Sequence, residues 1–392
     1  MAQTKERWIF SSLFFLVFFG YGGFFPLLSV YFRDEMGLTG TQIGAILSIG
    51  PIVMVFAQPI WGIICDYTQR SNEVLILAVA VTGTIGLGYL LLEQYVWLLL
   101  LAAALAAFQA AIVPISDSIA MNYVHRVGGD YGNIRLWGAV GFAVAAFIMG
   151  EMSDRWGLVV IFFGFAGALW LSALTGLALP KERVAFDLNL RTGLSRLLKL
   201  PRFGLFLVAT FLVFGPVHAN NVYFSLLVQD LGGTLAGVGL GFLLAAGSEA
   251  PFMKFAAKWI RQRGLLTVTI LAAVVSGGRW LLYAFEPSLS LVYVSTITQG
   301  FSVGLYIPAA LEYIRSIVPK EVRATAISLY AAAGVGLGNW FFALVGGAIM
   351  DHYPIFTMYM MFGVMTLLGA GILIGVKRME KKARSAEADS LI

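Results

Sequence analysis

The stretch Leu179–Arg202, LPKERVAFDLNLRTGLSRLLKLPR, decides how the rest of the chain is read. It is polar and basic, the longest hydrophilic interval before the C-terminal tail, and long apolar runs stand on both sides of it. Six precede it, near Trp8–Phe32, Thr41–Cys65, Val74–Leu92, Val96–Tyr123, Tyr131–Glu151 and Gly157–Leu179. Six follow, near Phe203–Val228, Leu235–Ile260, Leu265–Phe285, Ser288–Ile317, Ala324–Met350 and Ile355–Val376. A helix needs about 20 apolar residues to cross a bilayer, and these runs have that length. Lipid cannot satisfy open backbone groups, and the runs are too continuous for barrel strands, so helices are expected. The 392 residues are 59% hydrophobic and only 12% charged, about half the charge of a soluble domain. The reading is an all-α membrane protein of twelve transmembrane helices in two pseudo-symmetric six-helix bundles. Residues 1–180 form the first bundle and 203–377 the second, with a cytoplasmic linker at 181–202 and a cytoplasmic tail at 378–392.

Lysine and arginine set the orientation. With the N-terminus inside, Lys5, Arg7, Arg70, Arg126, the linker, Arg261, Arg263, Arg315, Lys320, Arg323 and the basic tail all fall in the cytoplasm. Only Arg33 and Arg155 then lie in outer loops, as the positive-inside rule requires. Both termini are therefore expected in the cytoplasm of a cell whose inner membrane holds the chain. The net charge of +5 reflects this topology and gives no reason to expect nucleic acid as a partner. The first run is too long, and lacks a small-residue cleavage site, to be a removable signal. Cys65 is the only cysteine, which excludes an internal disulfide and a cysteine-rich metal site.

The two halves carry traces of each other. A shift of 195 lays Gly20, Gly37, Thr39 and Gly44 over Gly215, Gly232, Thr234 and Gly239. A shift of 197 lays Gly141, Gly150 and Asp154 over Gly338, Gly347 and Asp351, and one of 190 lays Gln109 and Tyr123 over Gln299 and Tyr313. Nearly one offset in corresponding runs favours a duplicated six-helix unit. Parallel six-helix repeats with a site at their interface mark one large class of secondary transporters.

Four charges lie inside apolar runs: Asp117, Arg135, Glu249 and Arg279. A charge at mid-bilayer costs at least ~3 kcal/mol on insertion scales, so such residues face a cavity or a partner. Asp117 and Arg135 can meet across the short Val124–Asp130 turn, either as a brace that fixes helix register or as a ligand-binding pair. A carboxyl in apolar surroundings takes up a proton more readily than one in water. Glu249, loosened by Gly247, Ser248 and Pro251, is thus the candidate proton carrier; the other reading is a pair with Arg279 on the next run. His218 sits in an unusually polar patch with Asn220, Asn221 and Tyr223, open to a cavity-lining role or to helix–helix hydrogen bonding. Gln109 and Gln299 are repeat-equivalent candidates for the cavity wall, and Tyr21, Asn339 and Trp340 are weaker ones. Asp154 and Asp351 end their runs as solvated caps.

The stretches Gly22-Gly-Phe-Phe-Pro-Leu-Leu-Ser-Val-Tyr31, Gln42-Ile-Gly44 and Phe56-Ala-Gln-Pro-Ile-Trp-Gly-Ile-Ile-Cys-Asp66 resemble the start of the lactose permease branch of the major facilitator superfamily. That branch includes oligosaccharide–proton symporters and phenylpropionate permease-like proteins. Pro114-Ile-Ser-Asp117 with Tyr131-Gly-Asn-Ile-Arg-Leu-Trp-Gly138, and Arg279-Trp280 through Leu311-Glu-Tyr-Ile314, extend the resemblance along the chain. It implies the major facilitator fold, with alternating access to a central cavity. It places a sugar-binding acid at Asp117, its arginine partner at Arg135 and a ring-stacking aromatic at Phe142. It matches the helix-eight acid with Glu249 and the helix-nine arginine with Arg279. By analogy with the superfamily's gating loop, Asp66 and Arg70 form a cytoplasmic gate contact, although that loop's usual glycine and second base are missing. The branch's helix-ten histidine and glutamate align with Gln299 and Ser302, so its proton relay is absent here.

The expectation for function is a secondary active transporter, a proton-coupled symporter for a small polar organic solute such as a sugar, glycoside or nucleoside. Transport of an aromatic or other carboxylate, or efflux of amphipathic compounds, are the alternatives. Its partners are then the solute, protons and the lipid bilayer, with the monomer as the working unit. No Walker-type loop is present and no nucleophile–base set suggests an enzyme. No cofactor or metal is expected.

Overall fold

In the computed structural model, which describes residues 2–180, 197 and 200–389, every long element is a helix and there is no strand among the described residues. The first six helices are α1 (Ala2–Asp34), α2 (Gly40–Thr68), α3 (Ser71–Leu87, continued by a 3-10 turn Gly88–Leu90), α4 (Tyr95–Val127), α5 (Tyr131–Trp156) and α6 (Val160–Gly176). The second six are α7 (Pro201–Asp230), α8 (Leu235–Arg263), α9 (Leu265–Ala284), α10 (Leu289–Ile317), α11 and α12 (Ile355–Asp389). Helix α11 is α-helical over Arg323–Ala331, π-helical over Ala332–Gly338 and α-helical again over Asn339–Met350. Ten of these helices are long and apolar enough to cross a membrane. The other two are α6, with 17 residues, and α10, which carries Ser295, Thr296, Thr298, Gln299 and Ser302 among its apolar residues.

Most of the expected linker, 181–196 with 198 and 199, lies outside the described residues, as do the last residues of the expected tail. Helix α12 does not stop near residue 377 but runs on to Asp389. The sequence after Val376 is rich in Lys, Glu, Ala, Met and Arg, all strong helix formers, and contains no glycine or proline to end the turn pattern.

Local signals fix the helix ends near the site. The α4–α5 connection needs left-handed backbone at Gly128 and Gly129, with φ of 77° and 144°. Asp130 then caps α5 by accepting a hydrogen bond from the Gly132 amide at 2.8 Å. This short turn makes α4 and α5 antiparallel neighbours. Helix α2 opens with a capping box, in which the Thr39 hydroxyl accepts from the Gln42 amide and the Gln42 side chain accepts from the Thr39 amide.

Contacts divide the chain into two units, Met1–Leu188 with Asn221–Leu243, and Asn189–Asn220 with Leu244–Ile392. In the first, α1 packs on α5 and α6, α2 on α4, and α3 on both α4 and α6. Gly22 of α1 lies against the Phe142 backbone, and Gly141 of α5 against the Phe15 backbone, so these two helices meet main chain to main chain. The second unit packs α9 on α10 and α12 around an apolar core that includes Phe206, Tyr306, Tyr313 and Leu373.

Candidate functional site

In the first unit, Asp117 projects from α4 and Arg135 from α5 as neighbours. The Arg135 Nε lies 3.6 Å from Asp117 Oδ1. Tyr131, one helical turn before Arg135 and so on the same face of α5, donates a 2.6 Å hydrogen bond from its hydroxyl to that same oxygen. The guanidinium stands 4.2 Å above the Phe18 ring centre and 5.5 Å from that of Phe14, both on α1. Gly138 leaves the space this needs, because a Cβ there would come within 2.8 Å of Arg135 Nη1 and 2.9 Å of the Phe18 ring. The side chains of Asp117 and Arg135 remain 31% and 34% exposed. The arrangement sets a carboxylate oxygen and guanidinium N–H groups side by side, an acceptor and donors that complement polar groups of a solute.

Tyr131, Phe14 and Phe18 were not identified by the sequence reading. For Tyr131 the signal was present, since i and i+4 positions share a helix face. For the two phenylalanines nothing distinguished them within an α1 rich in Phe.

The other first-unit candidates are spread around this centre. Phe142 stands seven residues beyond Arg135, about 10 Å along the helix, with its ring edge-on to Phe242 at 6.0 Å. The rings nearest the guanidinium are therefore those of α1. Tyr21 is buried against Phe18, Phe25 and Phe165. Its hydroxyl points towards Gln109 without a hydrogen bond of ordinary geometry. Asn221 is exposed. At the expected gate, Arg70 pairs with Glu73 on α3 at 3.2 Å. A left-handed Gln69 at the end of α2 redirects the chain between Asp66 and Arg70. Asp154 is not a plain solvated cap. Its two oxygens accept from the amides of Leu235 and Ala236 at 3.0 Å each, and so cap the start of α8.

In the second unit Glu249 and Arg279 do not form the expected pair. Arg279 is 5% exposed and donates from Nη1 to Gln299 at 2.8 Å, with its guanidinium 4.1 Å above the Trp280 ring and 5.8 Å from that of Tyr283. Its Nε has no partner among the described residues. The amide of Gln299 and the indole face take the place a carboxylate was expected to fill. Glu249 has neither hydrogen bond nor ion pair among the described residues. It sits where α8 and α10 touch backbone to backbone, since a Cβ at Gly300 would collide with Ser248 and the Glu249 amide. His218 keeps an unpartnered, buried Nε2 beside Phe214. Asn220 accepts from the Tyr359 hydroxyl at 2.9 Å. No group of metal-ligating side chains occurs among the described residues.

Among the described residues, ten helices long and apolar enough to cross a membrane and two further apolar ones, with polar and charged side chains held mid-helix in both halves, define a multi-pass membrane transporter of small polar organic solutes. The chain belongs to the MFS_1 like family, which matches it over residues 7–361. It is 46% identical over 381 residues to the maltose permease of Geobacillus stearothermophilus, covering 97% of each chain. It is 41% identical to the uncharacterized transporter YwbF of Bacillus subtilis (strain 168), covering 97% of this chain and 96% of that one. Among solved structures, a mutant of the nucleoside transporter NupG superposes with a TM-score of 0.87 at 18% identity, covering 94% of this chain and 99% of that one. This last likeness shows the major facilitator fold.

Proposed function

We propose that the chain is a proton-coupled symporter that moves a small neutral sugar or glucoside by alternating access. The observation that carries this is the Asp117–Tyr131–Arg135 cluster over the Phe18 ring. Sugar hydroxyls both donate and accept, and they match a site that presents a carboxylate and a guanidinium side by side. The 46% identity to a maltose permease over nearly the whole chain supports the same class of solute. Asp117 and Arg135 bind the hydroxyls, Phe18 holds the guanidinium from below, and Phe142 is the ring that stacks on the solute. Solute contacts are assigned within the first unit to Gln109, Tyr21 and Asn221, and within the second to His218 and Gln299. Glu249, a carboxyl without a partner among the described residues, carries the proton. The protein works as a monomer in the cell membrane, both termini in the cytoplasm, by the distribution of Lys and Arg between the loops. It catalyses no covalent step.

The test is uptake by proteoliposomes holding the purified full chain, offered labelled maltose and a panel of glucosides, nucleosides and aromatic acids. Maltose should accumulate only with an inward proton gradient. Failure of every sugar and glucoside to move, with or without the gradient, would sink the reading.

One observation favours a second reading. Arg279 is a buried guanidinium whose only side-chain hydrogen bond among the described residues is to an amide, so it can clamp a carboxylate solute. Uptake of an aromatic acid, lost in Arg279→Gln and retained in Asp117→Asn, would establish it over the first.

A further inference from the structure

We infer that Tyr131 is a positioning residue for the solute site, and that it aims Asp117 at a vicinal diol. This rests on the sugar-transport reading above. Four observations lead to it. The Tyr131 hydroxyl donates to Asp117 Oδ1 at 2.6 Å, and Arg135 Nε approaches that same atom at 3.6 Å. Oδ1 thus accepts the one hydrogen bond that the chain gives this carboxylate, and Oδ2 accepts none among the described residues. The Tyr131 ring is held edge-on to the buried Phe14 at 6.4 Å. Its backbone is held by the Asp130 cap one residue earlier.

A carboxylate beside a guanidinium ordinarily closes into a bidentate pair, both oxygens facing both terminal nitrogens. Here the tyrosine hydroxyl occupies Oδ1 and holds the carboxylate, and the shortest approach of Arg135 is from Nε to that same oxygen, at a distance too long for a hydrogen bond. Oδ2 is left as an acceptor, and the guanidinium, with five N–H donors, retains donors to spare. One acceptor next to fixed donors is the complement of two adjacent hydroxyls, of which one donates to Oδ2 and the other accepts from Arg135. A carboxylate solute at this place would instead meet the Asp117 charge. Tyr131 therefore keeps the pair open, and an adjacent-diol sugar is the solute that such an opening fits.

The experiment compares wild type with Tyr131→Phe, and with Tyr131→Leu should the first not fold, in the full-length chain. Three quantities are read: the KM and Vmax of maltose exchange, competition by the set of monodeoxy methyl α-glucosides, and carbodiimide labelling of Asp117 without any sugar. Loss of one hydrogen bond to a charged group is worth about tenfold. The expected result is a maltose KM raised about tenfold, with Vmax falling less. In wild type, removal of either hydroxyl of one adjacent pair should weaken competition about tenfold, and in Tyr131→Phe that penalty should shrink to a few-fold. A residue serving only the fold would lower Vmax and yield while leaving the deoxy pattern as it was. Labelling of Asp117 should change several-fold, because the atom bonded to Tyr131 is released. Unchanged labelling overturns the role of Tyr131 even if no sugar is carried. If wild type carries maltose and the variant keeps the same KM and deoxy pattern, the inference falls while the transport reading stands. Wild type moving no sugar defeats that reading and, with it, the diol.

Discussion

The guanidinium of Arg135 is defined from three directions, with the Phe18 ring beneath it, Asp117 beside Nε and the empty position of Gly138 next to Nη1. A lysine keeps the charge but has neither the planar fork nor the stacking face, so Arg135→Lys is not conservative at such a site. Its KM for maltose should rise at least ~10-fold, about the value of one charge-assisted hydrogen bond. A counterflow assay, which needs no proton gradient, checks this, and a KM within twofold of wild type would remove Arg135 from the site. The Asp117–Arg135 meeting was legible in the sequence, because a tight Gly-Gly-Asp turn leaves α4 and α5 no alternative to lying side by side. The Glu249–Arg279 pairing was not. Those residues sit on consecutive helices, but whether their side chains face one another depends on how each helix is rotated about its axis. Runs apolar on nearly every side leave that rotation unmarked. In the fold it is set by contacts that hydropathy does not record, such as Trp280 and Gln299 around Arg279.

At the scale of elements, the existence and order of the twelve helices could be read because each apolar run is bounded by charge, glycine or proline. What could not be read is where the helices press closest. Gly22 and Gly141 seat α1 and α5 against each other's backbone, and backbone cannot rotate aside as a side chain can. Gly141→Leu should therefore cost ~1–3 kcal/mol or more, the usual penalty of overpacking, visible as a lowered midpoint of thermal unfolding in detergent. The change should also disturb the site, since α5 carries Tyr131 and Arg135. Asp154 is a second case. It was expected to end its own helix, but its side chain satisfies two free amides of α8, where the partial positive charge of a helix start favours a carboxylate. Nearby, Arg33 bridges to Asp230 at 2.7 Å and to Gln229 at 2.8 Å, and Ser29 meets Ser225 at 2.9 Å. The end of α1, the end of α5 and the α7–α8 turn are thereby tied together within the first unit. Asp154→Ala should remove about 1 kcal/mol of stability, typical of a lost helix cap. It should also raise thiol labelling of a cysteine placed at Ser225, and labelling equal to that of the parent cysteine variant would separate the cap from this closure. The seven-residue π segment of α11 had no warning in the sequence beyond its glycines.

At the scale of the molecule, the proposed proton coupling requires that one group bind a proton in step with the solute. The helix-ten histidine and glutamate expected from the resemblance are Gln299 and Ser302 here, and neither can carry a proton near neutral pH. Gln299 is already occupied by Arg279. Of the acids inside the apolar runs, Asp117 is tied to Tyr131 and Arg135, and protonation would dissolve that arrangement. Glu249 alone has no partner to lose among the described residues, and it sits at the α8–α10 crossing, where any relative movement of those helices changes its surroundings. Proton uptake there can answer to the conformational cycle without dismantling the solute site. One pH unit is worth about 1.4 kcal/mol per proton, enough for tenfold accumulation by a one-to-one symporter. Wild-type proteoliposomes with a gradient of one unit, acidic outside, should thus approach a tenfold maltose ratio. Glu249→Gln presents the neutral form permanently, so its ratio should fall to one while maltose exchange continues at a measurable rate. Loss of both would mean that the residue serves the fold or the solute site. Undiminished accumulation would transfer the proton to Asp117, and Asp117→Asn would then have to abolish accumulation in turn.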